Sequence, residues 1–199
     1  MDYRDSDRYV SAGARSVKVV ILGPFAVGKT TLVGAVSEIR PMRTEEQMTK
    51  AGELIDDLGG MKDKTTTTVA MDFGRVTLAE DIVLYLFGAP GQPRFHRMVR
   101  SLLDGALGGL VLVDTRRIEE SFDAIDLLES AGLPYTVAIN HFADEGAPRY
   151  SDAEIRDSLT MADDRPLVWL DARFRHSAKE GLIALVSDIL TRPRLEPAR

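Results

Sequence analysis

The sequence contains no cysteine, which excludes disulfide bonds, thiolate metal sites, thiol catalysis and S-acylation. Its three histidines are too scattered along the chain to suggest a zinc site. No apolar run reaches the roughly 20 residues that span a bilayer, and the amino terminus lacks a signal-peptide core. Acidic residues outnumber basic ones, giving a net charge of −6, which argues against non-specific nucleic-acid binding. We therefore expect a cytoplasmic protein with no nucleic-acid partner and no direct membrane anchor.

Short apolar runs alternate with amphipathic segments along the 199 residues, which is typical of strands that alternate with helices. Residues 67–87 predict an adjacent pair of strands joined near Ala79–Asp81. The pattern predicts an α/β fold with a three-layer, doubly wound, mostly parallel sheet. Its central strands, apolar throughout as expected of strands buried on both faces, are predicted at residues 17–22, 107–114, 133–140 and 166–171.

We expect one domain at residues 16–191, between a flexible leader at 1–15 and a tail at 192–199. Ser151 and Glu154 have capping-box spacing and predict the start of a helix. The segment at residues 40–64 is long, polar and charged, and Thr44 with Gln47 has the same spacing, which predicts a helix within it. Because compact connections are usually shorter, this segment is either functional or mobile.

The stretch GPFAVGKT, residues 23–30, fits G-x-x-x-x-G-K-[ST] in full and lies between a predicted strand and a predicted helix. Its glycines allow the backbone to turn N–H groups around a phosphate, and the helix N-terminus adds partial positive charge. The lysine is expected to reach the β- and γ-phosphates, and the threonine hydroxyl to bind Mg²⁺. The motif predicts a P-loop NTPase whose bound nucleotide contacts Gly23, Ala26, Val27, Gly28, Lys29, Thr30 and Thr31.

Two further stretches resemble the switch regions of Ras-like small GTPases. TTTTVAMDF places Thr68 four residues before Asp72, and the resemblance implies that Thr68 contacts Mg²⁺ and the γ-phosphate. GAPGQ, residues 88–92, aligns with the family's D-x-x-G-Q. The resemblance implies that the Gly91 N–H senses the γ-phosphate and that Gln92 orients the attacking water.

Gly88 stands where the family carries an aspartate that orients a metal-bound water. We expect this loss to weaken the organisation of Mg²⁺ while leaving two direct hydroxyl ligands, Thr30 and Thr68. The resemblance thus implies a small G domain with three catalytic residues, Lys29, Thr68 and Gln92.

The base-recognition motif of the family, N-K-x-D, follows the strand that ends near residue 140. Here Asn140 is followed by His141, and Asp144 comes one place late, so it reaches the base only if the turn carries a one-residue bulge. Guanine specificity therefore stays open. His141 or Phe142 could cover the base by stacking in place of the family's lysine.

The family's last motif, S-A-K, follows the final strand directly. We assign it to DAR, residues 171–173, where Ala172 would give its backbone N–H to the base carbonyl and Arg173 would take the lysine's position. The alternative, SAK at residues 177–179, falls in the predicted lead into the last helix.

Taken together, GPFAVGKTT, DKTTTTVAMDFGR, LYLFGAPGQPRF, LVDTRR and DAR resemble the GTP-binding proteins of actinomycete conservons over roughly residues 16–190. In that family the GTPase is encoded with a sensor-kinase-like membrane protein, a roadblock-type protein and a small DNA-binding-like regulator. The resemblance implies a prokaryotic signalling switch that binds GTP and GDP with Mg²⁺. We expect a roadblock-type regulator and a sensor-kinase-like membrane protein as partners, and recruitment of the protein to the membrane by a partner.

We expect slow hydrolysis of GTP to GDP that a partner stimulates by placing Gln92 or an arginine. Phe95 and Met98, beside the second switch, would form a partner surface if exposed. Two alternatives stay open: a nucleotide-stabilised interaction module with negligible turnover, and a P-loop phosphotransferase acting on a small acceptor. Arginines that could act in cis are Arg94 and Arg97, and with less support Arg116 and Arg117.

Overall fold

The computed structural model describes residues 13–48, 67–79, 81–141 and 150–192. Seven strands within these ranges form one sheet: β1 (Arg15–Leu22), β2 (Met42–Met48), β3 (Thr67–Ala79), β4 (Ile82–Gly88), β5 (Gly108–Val113), β6 (Tyr135–Asn140) and β7 (Leu167–Leu170). The strand order is β2-β3-β4-β1-β5-β6-β7. Strands β4, β1, β5, β6 and β7 run parallel to one another, whereas β3 is antiparallel to both β2 and β4. The predicted mostly parallel sheet is confirmed.

Five α-helices in the described part of the chain flank the sheet: α1 (Lys29–Val36), α2 (His96–Leu103), α3 (Phe122–Ser130), α4 (Asp152–Ser158) and α5 (Arg175–Thr191). One apolar cluster packs α1 and α5 against one face, and a second packs α2, α3 and α4 against the other. This gives the three layers that the sequence predicts. Strands β5 and β6 are buried along their whole length, which explains why both are mostly apolar, with Thr136 and Asn140 as the buried polar residues of β6.

The structure corrects the predicted helix after Thr44. Residues Met42–Met48 form strand β2, which pairs with the first half of β3 and extends the sheet by one edge strand. In the strand, backbone N–H and C=O groups pair with those of β3, whereas a short isolated helix is only marginally stable. The rest of the 40–64 segment, from residue 49, lies outside the described residues, as do most of the predicted leader and all but Arg192 of the predicted tail.

Two helices also differ from the sequence interpretation. Helix α2 was not predicted, and α5 begins at Arg175, so that Ser177 and Lys179 belong to its first turns rather than to a lead-in. The predicted capping box at Ser151 and Glu154 is present at the start of α4, with both reciprocal hydrogen bonds made. Among the described residues, no helix is long and apolar enough to cross a membrane.

Candidate nucleotide-binding site

The P-loop joins β1 to α1 at the carboxyl end of the parallel strands, which is where doubly wound sheets bind their ligands. Gly23 and Gly28 have φ angles of 131° and 108°, values that favour glycine. A Cβ on Gly28 would also lie 2.7 Å from the Asn140 amide nitrogen. Ala26 has a φ of 63°, an uncommon conformation for a residue with a Cβ. The loop is therefore held in the narrow turn that the motif predicts.

Lys29 begins α1 and its side chain is buried, with only 8% of the residue exposed. The ammonium donates to the carbonyl oxygens of Gly23 at 2.8 Å and Pro24 at 2.6 Å. Burial lowers the pKa of Lys29 to about 8, and the charge of Asp72 offsets part of this effect. The Lys29 ammonium therefore lies across the P-loop, where it offers a partly desolvated positive charge to an anion.

The loop after β4 packs directly against the P-loop. A Cβ placed on Gly91 would lie 2.6 Å from Lys29 Nζ and 2.7 Å from the carbonyl oxygen of Gly23. Only a residue without a side chain permits this approach. The backbone of Gly91 consequently lies beside the lysine that the motif assigns to the phosphates.

Asp72 occupies the space beside Gly88. The two residues face each other across the antiparallel β3–β4 pair, and a Cβ on Gly88 would lie 3.2 Å from Asp72 Oδ2. Asp72 is buried, and the Thr30 hydroxyl donates to Asp72 Oδ2 at 2.5 Å. A carboxylate therefore lies beside the P-loop hydroxyl that the motif assigns to Mg²⁺, although it comes from β3 and not from β4.

The donor set of Thr30 and Asp72 fits Mg²⁺, which prefers hydroxyl, carboxylate and water oxygens and is usually held by one or two protein groups. Among the described residues no cluster of three or more His, Cys, Asp or Glu side chains could hold a metal ion. A site with one carboxylate, one hydroxyl and the oxygens of a nucleotide is the arrangement that remains open to this ion.

The structure does not bring Thr68 to Thr30. Thr68 lies in β3 opposite Gln47, four residues before Asp72. Four residues of extended strand span about 13 Å. The role of Thr68 as a direct metal ligand stays a prediction. In the β2–β3 pairing described here, its backbone lies that far along the strand from Asp72, the residue that contacts Thr30.

Three loops meet at the other end of the P-loop, where the base of a nucleotide is expected. Asn140 ends β6, and its amide donates to the Val27 carbonyl oxygen at 2.8 Å. Its Oδ1 accepts from the Ala172 N–H at 2.9 Å. The N–H that the sequence interpretation assigns to a base carbonyl is thus engaged by Asn140. One amide proton of Asn140 is not used by the Val27 bond.

The neighbouring residues are tied to one another. Arg173 donates through Nε and Nη2 to the carboxylate of Asp171 at 2.9 and 2.6 Å, and these bonds hold the pKa of Asp171 below its usual range. The His141 ring lies 5.3 Å from the ring of Trp169, whose indole N–H donates to Asp152. Trp169 is half-buried at this edge. Asp144 and Phe142 lie outside the described residues.

Gln92 lines a cavity of about 310 Å³ between the P-loop, α2 and α3. Phe95 is buried, at 8% exposure, and packs inward, so it cannot form the partner surface predicted for it, whereas Met98 is half-buried.

The candidate arginines have different surroundings. Arg94 stacks on Phe95, and Arg97 is exposed. Arg116 binds Asp114, and Arg117 donates to the P-loop carbonyl of Phe25.

Asp72 is the residue that sequence reasoning missed. The family's D-x-x-G-Q motif has its aspartate at the end of the strand that corresponds to β4, and in this sequence that position is Gly88. The signal was nevertheless available, because the predicted turn near Ala79–Asp81 places residues eight before and eight after position 80 opposite each other. Those residues are Asp72 and Gly88. Counting the hairpin register would have found the carboxylate.

The P-loop, the buried lysine and the converging loops define a nucleotide-binding P-loop domain with the fold of a G domain. The chain belongs to the family described as conserved hypothetical ATP binding protein, which it matches over residues 21–192. No curated protein matches the sequence. Among solved structures, the cytosolic domain of the T. maritima FeoB iron transporter in a GDP form is similar, with a TM-score of 0.64 and 18% identity over 93% of this chain and 68% of that one. The G domain of the same transporter is similar with a TM-score of 0.60 and 19% identity, over 87% of this chain and 99% of that one.

Proposed function

We propose that this protein is a GTP-binding molecular switch that hydrolyses GTP slowly and is stimulated by a partner. The observation that carries the proposal is the Asp72 carboxylate, which lies beside Gly88 and hydrogen-bonds Thr30. The carboxylate accepts a hydrogen bond from the P-loop hydroxyl, and its charge raises the pKa of the buried Lys29, so Asp72 acts on two residues of the phosphate-binding motif. It supplies the element that separates a metal-dependent switch from a simple phosphate-binding loop.

Each residue of the site has a distinct part in the proposal. The Thr30 hydroxyl and the Asp72 carboxylate would hold Mg²⁺, which when bound neutralises charge on the β- and γ-phosphates. Lys29 would bind the same phosphates from within the loop, and Gly91, whose backbone lies beside Lys29, would offer its N–H to the γ-phosphate. Gln92 orients water once a partner draws it out of the cavity beside α3.

An exchange of the two facing residues tests the role of Asp72. We expect Asp72→Gly to weaken Mg²⁺-dependent GDP binding by roughly 10- to 100-fold, as loss of an orienting carboxylate does in other metal sites. Gly88→Asp alone crowds the existing carboxylate. The double variant Asp72→Gly/Gly88→Asp returns one carboxylate to the same space from the other strand, and we expect it to recover most of the Mg²⁺ dependence. Titration of nucleotide affinity against Mg²⁺ measures this, and a double variant as weak as Asp72→Gly would count against the proposal.

The specificity of the site for the nucleotide base needs its own test, because the family description names ATP whereas our proposal names GTP. We expect GDP and GTPγS to bind nucleotide-stripped protein in calorimetric titrations while ADP and ATPγS give no signal. Equal affinities would remove guanine specificity from the proposal. We expect Asn140→Ala to weaken the binding of every nucleotide, because the Val27 carbonyl and the Ala172 N–H both lose their hydrogen-bond partner.

Turnover decides between a switch and a nucleotide-stabilised interaction module. We propose, from the resemblance to conservon GTPases, that a roadblock-type protein is the stimulating partner and that a sensor-kinase-like membrane protein supplies the signal. Phosphate release under multiple turnover, with and without the roadblock-type protein, measures this. Stimulation that Gln92→Leu abolishes would support the switch, and an absence of release in both conditions would favour the module.

A further inference from the structure

A chain of contacts runs from a buried carboxylate at the end of β5 to a backbone carbonyl of the P-loop. Asp114 directly follows β5 and is 1% exposed. Its Oδ2 lies 3.5 Å from Nη2 of Arg117. The same Nη2 donates to the carbonyl oxygen of Phe25 at 3.4 Å, across 92 residues of sequence. Arg117 thereby ties the segment before α3 to the middle of the P-loop.

The local backbone gives Arg117 this direction. Asp114 caps a 3₁₀ segment, Thr115–Ser121, and accepts the Arg116 backbone N–H together with Nε and Nη2 of the Arg116 side chain. Arg117 breaks the helical geometry with φ −147° and ψ 51°. Two consecutive arginines can therefore share one carboxylate. Glu120 accepts from Nη1 of Arg117 at 3.2 Å, so both terminal nitrogens of the guanidinium have a partner.

The contact with Phe25 matters because of peptide geometry. The carbonyl of Phe25 and the N–H of Ala26 belong to one planar trans peptide, so they point in opposite directions. A donor that holds the carbonyl on the outer side directs the Ala26 N–H to the inner side, where a P-loop presents its N–H groups to phosphate. A flip of this peptide would relieve the positive φ of Ala26 and would turn its N–H away.

We infer that Arg117 is a positioning residue for nucleotide binding, which fixes the direction of the Ala26 N–H by holding the Phe25 carbonyl. The inference rests on the proposed function of the P-loop. Arg117 acts from outside the loop and is anchored by Asp114, so it links the start of α3 to the phosphate site. The guanidinium also polarises the peptide, which makes the Ala26 N–H a stronger donor.

The test compares Arg117→Met with Arg117→Lys in the full chain loaded with GDP. Arg117→Met keeps the length of the side chain but removes its donors, and we expect GDP to dissociate about tenfold faster, as for the loss of one charge-assisted hydrogen bond. We also expect the ³¹P resonances of bound GDP to shift. Arg117→Lys retains a charged donor, and we expect it to return both readouts most of the way to the parent values.

Arg100→Met serves as the matched control, since it removes an exposed guanidinium from the last turn of α2. It should leave the dissociation rate and the ³¹P spectrum unchanged. An Arg117→Met spectrum identical to that of the parent, with an unchanged dissociation rate, would overturn the inference while leaving the proposed function intact. Absence of any bound-nucleotide resonance in the parent protein, with GDP and with ADP, would overturn both.

Discussion

Lys29 combines two properties that normally oppose each other. Its ammonium is largely removed from water, yet two carbonyl oxygens and the nearby Asp72 keep the charged form accessible at neutral pH. Much of the desolvation that phosphate binding requires has therefore already taken place in the folded protein. A pKa of about 8 leaves the lysine mostly protonated near pH 7 and mostly neutral above pH 9.

Nucleotide affinity should consequently depend on pH in a defined direction. Bound phosphate favours the ammonium, so above pH 8 binding must take up the proton that the free protein has lost. We expect GDP affinity to be roughly constant below pH 7 and about tenfold weaker at pH 9, from linkage of binding to one proton. Lys29→Arg, whose guanidinium stays charged, should bind with a flat profile over the same range. A sloping profile in that variant would assign the titration to another group.

A second prediction at the scale of one residue concerns Gly91. A methyl group there would meet Lys29 Nζ and the Gly23 carbonyl, so Gly91→Ala must displace the loop after β4 from the P-loop. We expect hydrolysis to fall at least tenfold while GDP binding changes little, because the triphosphate state needs the Gly91 N–H close by. Gly34→Ala is the control: nothing lies within 4 Å of its added methyl, and inside α1 it should stabilise the fold by about 1 kcal/mol. Single-turnover hydrolysis and thermal unfolding measure the two effects.

At the scale of elements, the central strands and the P-loop could be predicted because each has a local signal. The runs that became β1, β5 and β6 are apolar at nearly every position, and the loop matches a full motif. Strand β2 has no such signal. Its residues, MRTEEQM, present no apolar face, and their extended form comes from pairing with β3, a contact between segments that local spacing cannot reveal.

The same pairing changes what we expect of Thr68. While β2 and β3 remain paired, Thr68→Ala should leave Mg²⁺-dependent GDP affinity within about twofold of the parent, whereas Asp72→Asn should lower it at least tenfold. Both variants are measured by titration with GDP and with GTPγS. A loss of GTPγS affinity alone in Thr68→Ala would show that the triphosphate state separates β2 from β3. A loss of affinity for both nucleotides would restore Thr68 as a ligand in the paired form.

At the scale of the whole molecule, topology gathers the site from distant parts of the chain. The parallel strands β1, β5, β6 and β7 all end at the same edge of the sheet, and the P-loop, Arg117, Asn140 and Ala172 lie at or after these strand ends. The two apolar clusters fix the helices on either side and so hold these loops in place. A ligand that bridges the loops should therefore stabilise the entire fold.

We expect GDP with Mg²⁺ at 100 times its dissociation constant to add about 2.7 kcal/mol to the free energy of unfolding. For a domain of this size that corresponds to a rise of roughly 5–10 °C in Tm. Thermal unfolding followed by circular dichroism measures the change, with ADP as the comparison. An equal rise with ADP would show that the site accepts either base, and no rise with either nucleotide would contradict the assignment of the site.

The β3–β4 hairpin has a consequence for how this protein tolerates insertions and deletions. Its pairing is regular from Asp72 to Thr77 and then shifts by one residue before the turn, at the irregularity between Thr77 and Ala79. In a strand, a slip of one residue turns every side chain to the opposite face. A deletion between Asp72 and Thr77, inside the regular part of the ladder, would therefore carry the Asp72 carboxylate away from Thr30 if the pairing beyond it is kept. Loss of the extra residue at the irregularity, about 17 Å along the strand, would instead leave Thr77 opposite Val83 and Asp72 opposite Gly88. The irregularity thus marks the place where this hairpin can lose a residue without losing the acid from the nucleotide site.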